Sequence, residues 1–195
     1  MGWPGGFRVL RHRDRVAGPW ANGGGITYEV MRWPADGPDF DWRLSIAEIA
    51  REGPFSTYPG VDRILILLRG AMNLVIDGTG YDVPLFEPLA FPGEARVESV
   101  LADGPTMDFN IMTRRGRVTA RADVLTEPAV TLAATPEDPV AVLVLDGERA
   151  FDAEDEPLRA WDAVVALRPI DLHGHGTVAC VALRSGGLGS ENRQR

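Results

Sequence analysis

Short apolar segments separated by glycine and proline turns run along most of this chain, and they restrict its fold more than any other feature. Segments such as Trp42 to Ile49, Ile64 to Leu68 and Met107 to Thr113 have the length and composition of strands. The acidic stretch from Ala150 to Ala160 contains proline and predicts a loop or a single helical turn. Because about ten strands without helices must protect their sheet edges, the pattern predicts an all-β barrel or sandwich.

Two stretches resemble each other weakly and suggest two all-β halves. Leu65 to Gly78 and the region that begins with Val142 to Gly147 each place an apolar strand before a glycine turn. A turn is expected at Asp146-Gly147. Arg69-Gly70-Ala71 is expected to join the strands of a hairpin, and a second turn is expected at Asp77-Gly78.

Composition and charge exclude several classes of protein. Hydrophobic residues make up 45% of the 195 residues, which suffices for a core, and no apolar stretch is long enough to span a membrane. The start of the chain has no signal-peptide pattern, and a single cysteine, Cys180, excludes an internal disulfide. The net charge of -8 argues against a nucleic-acid partner. We expect a cytoplasmic monomer or homodimer without nucleic-acid or membrane partners.

Arginine is the only permanently cationic side chain, because all 20 basic residues are arginine and lysine is absent. Schiff-base chemistry is therefore excluded, and any anionic ligand must be recognised by a guanidinium group.

Four motifs together resemble the HutD/Ves family, over residues from about Phe7 to Arg117. They are Pro19-Trp20-x-Asn22-Gly23-Gly24-Gly25-x-Thr27, Trp42-Arg43-Leu44-Ser45-Ile46-Ala47, Gly53-Pro54-Phe55-Ser56 with Pro59-Gly60-x-Asp62-Arg63, and Asp108-Phe109-Asn110-x-Met112. The resemblance implies a bicupin, that is, two jelly-roll β-barrels in one chain, associated in bacteria with control of histidine utilisation. This chain departs from the family pattern at Ala21, where a lysine usually precedes the Asn-Gly-Gly-Gly segment. Any role of that lysine is therefore lost here or performed by another residue.

The implied organisation has an N-terminal cupin barrel over residues 1–116, which carries the ligand pocket. A second, smaller barrel covers residues 117–184 and shares strands with the N-terminal segment. Residues 185–195 are polar and glycine-rich and are expected to form a mobile tail.

The positions at which metal-dependent cupins carry histidine hold other residues here. The first holds Ser56, Tyr58 and Arg63, and the second holds Ala95 and Arg96 in place of an imidazole. First-row metals need imidazole, thiolate or clustered carboxylate ligands, so no metal or other cofactor is expected. His173 and His175 on a glycine-rich turn have no evident third ligand, and His12 is expected to be a solvated edge residue.

A pocket of polar side chains is predicted from strand alternation and from the resemblance. Thr27 and Glu29 share one strand face, Arg43 and Ser45 a second, and Asp108 and Asn110 a third. These three faces either line one pocket or lie in solvent outside the sheet, and the resemblance favours the pocket. The full set of expected ligand-binding residues is Asn22, Thr27, Glu29, Arg43, Ser45, Phe55, Arg63, Asp108 and Asn110.

Three functions are compatible with such a pocket. The first is binding of a small carboxylate such as urocanate or formylglutamate, clamped by Arg43 or Arg63. The second is a metal-independent enzyme, an isomerase or hydrolase, with Glu29 and Asp108 as acid and base. The third is an interaction scaffold without a ligand. The lack of histidine in the pocket makes the enzyme the less favoured reading, and no catalytic residue is assigned.

Purified protein is expected to contain no stoichiometric transition metal, because the cupin ligand positions hold Ser56, Tyr58, Arg63 and Ala95. Elemental analysis by mass spectrometry after purification without chelators checks this. About one bound metal per chain would overturn it.

Overall fold

A computed structural model describes residues 3–20, 23–37, 39–151 and 155–186, and within these ranges the fold is all-β with two short 3-10 turns, Pro4–Gly6 and His12–Asp14. In chain order the strands are β1 (Phe7–Leu10), β2 (Ala17–Pro19), β3 (Gly25–Trp33), β4 (Trp42–Ile49), β5 (Gly53–Pro54), β6 (Val61–Arg69), β7 (Met72–Ile76), β8 (Thr79–Val83), β9 (Pro88–Pro92), β10 (Val97–Leu101), β11 (Thr106–Arg114), β12 (Val118–Leu125), β13 (Ala129–Leu132), β14 (Val140–Phe151), β15 (Leu158–Arg159), β16 (Ala163–Ala166) and β17 (Ile170–Ser185).

The strands form three sheets. A six-stranded sheet has the order β2-β3-β4-β11-β6-β9, and a four-stranded sheet has the order β5-β10-β7-β8. A seven-stranded sheet has the order β1-β16-β14-β17-β12, with β13 beside β17 and β15 beside β14. Strand pairing among the described residues closes none of these sheets into a ring.

The six-stranded sheet is central because it packs on both of its faces. One face meets the seven-stranded sheet, where Leu44, Phe109 and Ile111 share a core with Leu143 and Val181. The other face meets the four-stranded sheet through a second core of Leu65, Leu67, Leu74 and other apolar residues. At the apolar end of this second face the sheets are in contact, and at the polar end they leave a cavity.

Gly70 marks a corner between two sheets rather than a hairpin turn. β6 belongs to the six-stranded sheet and β7 to the four-stranded sheet, so the expected hairpin at Arg69-Gly70-Ala71 is wrong. Gly70 has φ +87°, and a Cβ there would lie 2.8 Å from Cγ2 of Thr106, so the corner requires glycine. The second expected turn, at Asp77-Gly78, joins β7 and β8 into a hairpin, and both of its residues have positive φ.

Strand β14 runs through the expected turn at Asp146-Gly147. The chain pairs with β17 on both sides of this point, and the register shifts between Val144 and Asp146. The dipeptide is therefore part of an irregularity within a long strand pair, and Gly147 has the positive φ, +80°, that favours glycine.

The N-terminal segment joins the C-terminal sheet. β1 pairs antiparallel with β16, and Arg11, which follows β1, donates to Oδ2 of Asp162 over 3.1 Å and to the carbonyl oxygen of Pro157 over 2.8 Å. Asp162 also accepts from the backbone N–H groups of His12 and Arg159. This network ties the first strand to the loop before β16. In the described residues, no helix has the length and apolar character needed to cross a membrane.

Asp162→Ala is expected to lower the free energy of unfolding by about 3 kcal/mol, because it removes this carboxylate from the buried guanidinium of Arg11 and leaves two partly buried backbone N–H groups without their acceptor. The side chains of Arg11 and Asp162 are only 9% and 12% exposed. The matched control is Glu156→Ala, which breaks the exposed Arg13–Glu156 ion pair between the same two segments and should cost much less. Denaturant titration measures both, and equal losses would contradict a structural role for the buried pair.

Candidate functional site

A cavity of about 660 Å³ lies against the polar end of the six-stranded sheet. Because side chains alternate along each strand, β3, β4 and β11 present their polar residues on this face while their apolar neighbours face the seven-stranded sheet. Strand register brings the polar positions side by side: Asn110 pairs with Ser45, Ser45 with Glu29, and Met112 with both Arg43 and Arg63.

Eight of the nine residues expected in the pocket line this one cavity. They are Thr27, Glu29, Arg43, Ser45, Phe55, Arg63, Asp108 and Asn110. Asn22 lies outside the described residues, as does most of the expected C-terminal tail. The solvent-facing alternative for these strand faces is therefore wrong. Sequence reasoning missed the wall that Val16 and β2 build at the edge of the sheet, because a short exposed strand carries no alternation signal.

Arg63 is a buried guanidinium surrounded by aromatic rings. Its residue is 6% exposed, and the guanidinium carbon lies 5.0 to 5.8 Å from the ring centres of Phe91, Phe55 and Tyr58. Nη2 donates to Oδ1 of Asn110 over 2.6 Å, whereas buried Nε has no partner among the described residues. Burial lowers the pKa of Arg63, and the nearby carboxyl group of Asp108 partly opposes this shift. The aromatic faces stabilise the cation, but they do not supply the anion that a guanidinium prefers.

Asp108 is the second buried charge-bearing group that lines the cavity, after Arg63. It is 0% exposed, its Oδ1 accepts a hydrogen bond from Nδ2 of Asn110, and its Oδ2 has no partner in the part of the chain that the structure describes. Burial raises the pKa of Asp108 to about 7, against an opposing effect of Arg63. Asn110 thus bridges the two groups, with its oxygen toward Arg63 and its nitrogen toward Asp108.

Arg43 already has an ion-pair partner, in contrast to Arg63. Its Nε donates to Oε2 of Glu29 over 2.9 Å, and Arg32 lies 3.5 Å from the other oxygen of the same carboxylate. The side chains of Arg43 and Glu29 are 22% and 42% exposed, so this pair lies at the open rim of the cavity. Of the two arginines predicted as a carboxylate clamp, only Arg63 therefore has donor capacity left in a buried position.

Trp20 and the aromatic loop, residues 55–60 with Phe55 and Tyr58, form the remaining walls of the cavity. Nε1 of Trp20 donates to Oγ1 of Thr27 over 2.7 Å, and the Trp20 ring contacts Phe55 edge to face. A Cβ at Gly25 would overlap the Glu48 carbonyl oxygen and lie 3.2 Å from the Trp20 ring. Position 25 therefore requires glycine, because a side chain there would collide with the backbone of β4 and with the Trp20 ring.

The histidines and the cysteine lie away from the cavity. His12 is half-buried between the rings of Tyr28 and Trp161, with its pKa lowered by burial, so the expected solvated position is wrong. His173 and His175 are exposed within β17 rather than on a turn.

The remaining potential metal ligands give no site either. Burial raises the pKa of Cys180 to about 12, so this core thiol stays protonated at neutral pH. No group of three potential metal ligands occurs within residues 3–20, 23–37, 39–151 and 155–186.

Comparison with known proteins matches most of the chain to one family. The HutD family model matches residues 12–182. A 21.2 kDa protein of the hutC 3′ region of Pseudomonas putida is 43% identical over 118 residues, which is 59% of this chain and 62% of that protein. Protein Ves of Citrobacter koseri is 40% identical over 109 residues, 54% of this chain and 56% of that protein. The chain therefore spans less than two thirds of the length of the curated relatives it matches.

Solved structures extend the likeness to nearly the full chain. HutD from Pseudomonas fluorescens SBW25 is 30% identical, with a TM-score of 0.82 over 93% of this chain and 100% of that chain. Protein Ylba from E. coli is 11% identical, with a TM-score of 0.72 over 98% of this chain and 94% of that chain. At that identity the likeness concerns the fold alone, which is all-β and cupin-like.

Asp108→Asn is expected to stabilise the protein at pH 8 by about 2 to 4 kcal/mol, because the buried carboxylate no longer has to ionise. The folded pKa of about 7 lies above the usual value of 3.8, so the stability of the wild type relative to the variant is highest below about pH 4. This relative stability is lost progressively as the pH rises from about 4 to about 7. Denaturant titrations of both proteins from pH 4 to pH 8 measure this, and a difference independent of pH would show that Asp108 is not held neutral by burial.

Proposed function

Since this chain belongs to the HutD family, we propose that it is a small-molecule-binding protein that modulates histidine utilisation by binding a small carboxylate such as urocanate or formylglutamate. The link to histidine utilisation rests on the family and on the relative from the hutC 3′ region of Pseudomonas putida. The choice of a carboxylate rests on the cavity itself.

The observation that carries the proposal is the buried guanidinium of Arg63. Taking a cation out of water costs several kcal/mol unless an anion and hydrogen bonds compensate it. Three aromatic rings and one amide oxygen surround Arg63, and none of the described carboxylates forms an ion pair with it. A ligand carboxylate beside Nε would supply the missing charge and accept the unused hydrogen bond, which makes Arg63 the clamp.

The size and lining of the cavity suit a small acid. A volume of about 660 Å³ lies within the range of ligand pockets, roughly 300 to 1,000 Å³. Buried Ser45 and Asn110 offer a few fixed polar groups, and Phe55 and Tyr58 offer apolar surface. Since the protein has a net charge of -8, no long-range attraction draws an anion in, and affinity must arise from local contacts within the cavity.

We place the ligand pocket in the first of two cupin units, bounded at about residue 116. The six-stranded and four-stranded sheets are built from residues 17–114, and the seven-stranded sheet from residues 7–10 and 118–185. This division, with β1 shared across the boundary, supports a bicupin. We place the protein in the cytoplasm, with no nucleic-acid or membrane partner, as a monomer or homodimer.

An enzymatic role for Glu29 and Asp108 has less support. Asp108 has a pKa near 7, which suits proton transfer. Glu29, however, is held at the exposed rim by Arg43 and Arg32, so the second member of the acid-base pair is already bound by two cations. Binding without a reaction is the simpler use of this site.

A thermal-shift screen with urocanate, formylglutamate and formate tests the proposal. At a hundredfold excess over the dissociation constant, binding stabilises the fold by about 2.7 kcal/mol, a shift of roughly 5 to 10 °C for a chain of this size. Arg63→Met should abolish the shift, because it keeps an apolar side chain in the aromatic cage and removes the charge.

The controls separate the two arginines. Arg43→Ala should retain most of the shift, since Arg43 is already paired with Glu29. Arg115→Met should respond like the wild type, because Arg115 pairs with Asp62 and Glu94 at the surface. The proposal fails if no carboxylate shifts the wild type, or if the Arg63→Met protein responds as strongly as the wild type.

A further inference from the structure

Two buried polar atoms have no partner in the described chain, and they belong to two residues that line the cavity. Nε of Arg63 is a donor that lacks an acceptor, and Oδ2 of Asp108 is a carboxyl oxygen that lacks any contact with a donor. Both residues line the cavity, and Asn110 connects them. A ligand bound beside Arg63 therefore meets Asp108 as well, and the protonation state of Asp108 decides whether this second contact attracts or repels an anion.

The hydrogen bonds fix where a proton on Asp108 must lie. Arg63 donates to the oxygen of the Asn110 side chain, so the amide nitrogen of Asn110 points to Asp108. Oδ1 of Asp108 accepts that hydrogen bond and acts as the carbonyl oxygen of the carboxyl group. The proton is thereby assigned to Oδ2, the oxygen without a partner. In its neutral form Asp108 therefore has an unused hydrogen-bond donor at Oδ2, in addition to the unused donor at Nε of Arg63.

The charged and titratable groups around the cavity set the direction of the response. Arg63 on β6 favours ionised Asp108, and the other such groups that line the cavity are Glu29 on β3, Arg43 on β4 and Tyr58 on the aromatic loop. Glu29 and Arg43 neutralise each other at the rim. A carboxylate ligand on Arg63 compensates the one cation that stabilises ionised Asp108, and it adds a like charge nearby. Both effects favour the neutral acid.

We propose that binding of a small carboxylate beside Arg63 is coupled to uptake of one proton by Asp108, so that the ligand is held by a guanidinium and a neutral carboxylic acid and its affinity falls as the pH rises. This inference rests on the proposed binding function and adds its control by pH. The proton passes from solvent to Oδ2 of Asp108, and no bond of the ligand is broken.

Linkage gives the sign and size of the effect. The pKa of Asp108 without ligand is raised by burial to about 7, so below about pH 7 the acid is already neutral and the affinity is nearly constant. Above about pH 7 each bound ligand must bring one proton, and the affinity falls up to about tenfold per pH unit. The site thus holds its ligand less tightly as the pH rises above about 7.

Isothermal titration calorimetry with formylglutamate and with formate tests the coupling. Both probes are fully ionised above pH 6, so any pH dependence belongs to the protein. Titrations at pH 6, 7 and 8, each in two buffers of different ionisation enthalpy, give the affinity and the number of protons taken up. The wild type should lose up to about tenfold in affinity from pH 7 to pH 8, with nearly one proton taken up at pH 8.

Two variants identify the group. Asp108→Asn should bind both probes with an affinity independent of pH and without proton uptake, because its amide N–H replaces the Oδ2–H donor. Glu29→Gln, which changes the other carboxylate of the cavity, should keep the pH dependence of the wild type. If Asp108→Asn fails to fold, proton uptake by the wild type and by Glu29→Gln still decides the matter.

Several results would overturn the inference. Binding by the wild type without proton uptake would leave the binding function standing and remove the coupling. An affinity that rises with pH, with release of a proton, would show that Asp108 is ionised in the complex and accepts from the ligand. Proton uptake that persists in Asp108→Asn would assign the coupling to another group. Absence of binding of either probe at every pH would remove both the binding function and this inference.

Discussion

The alternation of side chains along β11 builds the core and the candidate site at the same time. Met107, Phe109 and Ile111 pack toward the seven-stranded sheet, while Asp108 and Asn110 face the cavity. Because the side-chain period of a strand is two, a slip of one residue would bury Asp108 in the apolar core and turn Phe109 into the pocket. The strand is buried along nearly its whole length, so packing on one face fixes the polar groups on the other.

The polar face is costly for the fold. A guanidinium and a carboxyl group are both removed from water, they are not ion-paired with each other, and each keeps one atom without a partner in the described chain. Replacing such groups by apolar residues is often stabilising. A chain that keeps them against this cost has a use for them, which is why the unused hydrogen-bonding capacity of Arg63 and Asp108 argues for a ligand that a purely structural core would not need.

Much of this arrangement follows from the sequence. Strict alternation indicated that Thr27 and Glu29, Arg43 and Ser45, and Asp108 and Asn110 occupy strand faces, and the motifs that resemble the HutD/Ves family indicated that these faces meet. The local sequence does not reveal which arginine already has an ion-pair partner. Glu29 and Arg43 lie on different strands, and only the pairing of β3 with β4 brings them together.

The elements that the sequence did not reveal depend on contacts between distant parts of the chain. β8 is exposed along most of its length and β12 alternates irregularly, so neither gives a clear strand pattern. His12 looks solvated among its arginines, yet Trp161 packs on it from a distant loop. Gly70 signals a turn, but only the packing against Thr106 makes it a corner between sheets.

The central claim, that Arg63 is the docking point for an anion, is tested most directly by nuclear magnetic resonance of arginine side chains. In protein labelled with ¹⁵N-arginine, the Nε–H signal of Arg63 is identified by its loss in Arg63→Met. Titration with formylglutamate should move this signal in a saturable manner and leave that of ion-paired Arg115 unchanged. Saturable binding that leaves the Arg63 signal in place, or a shift confined to Arg43, would contradict the account.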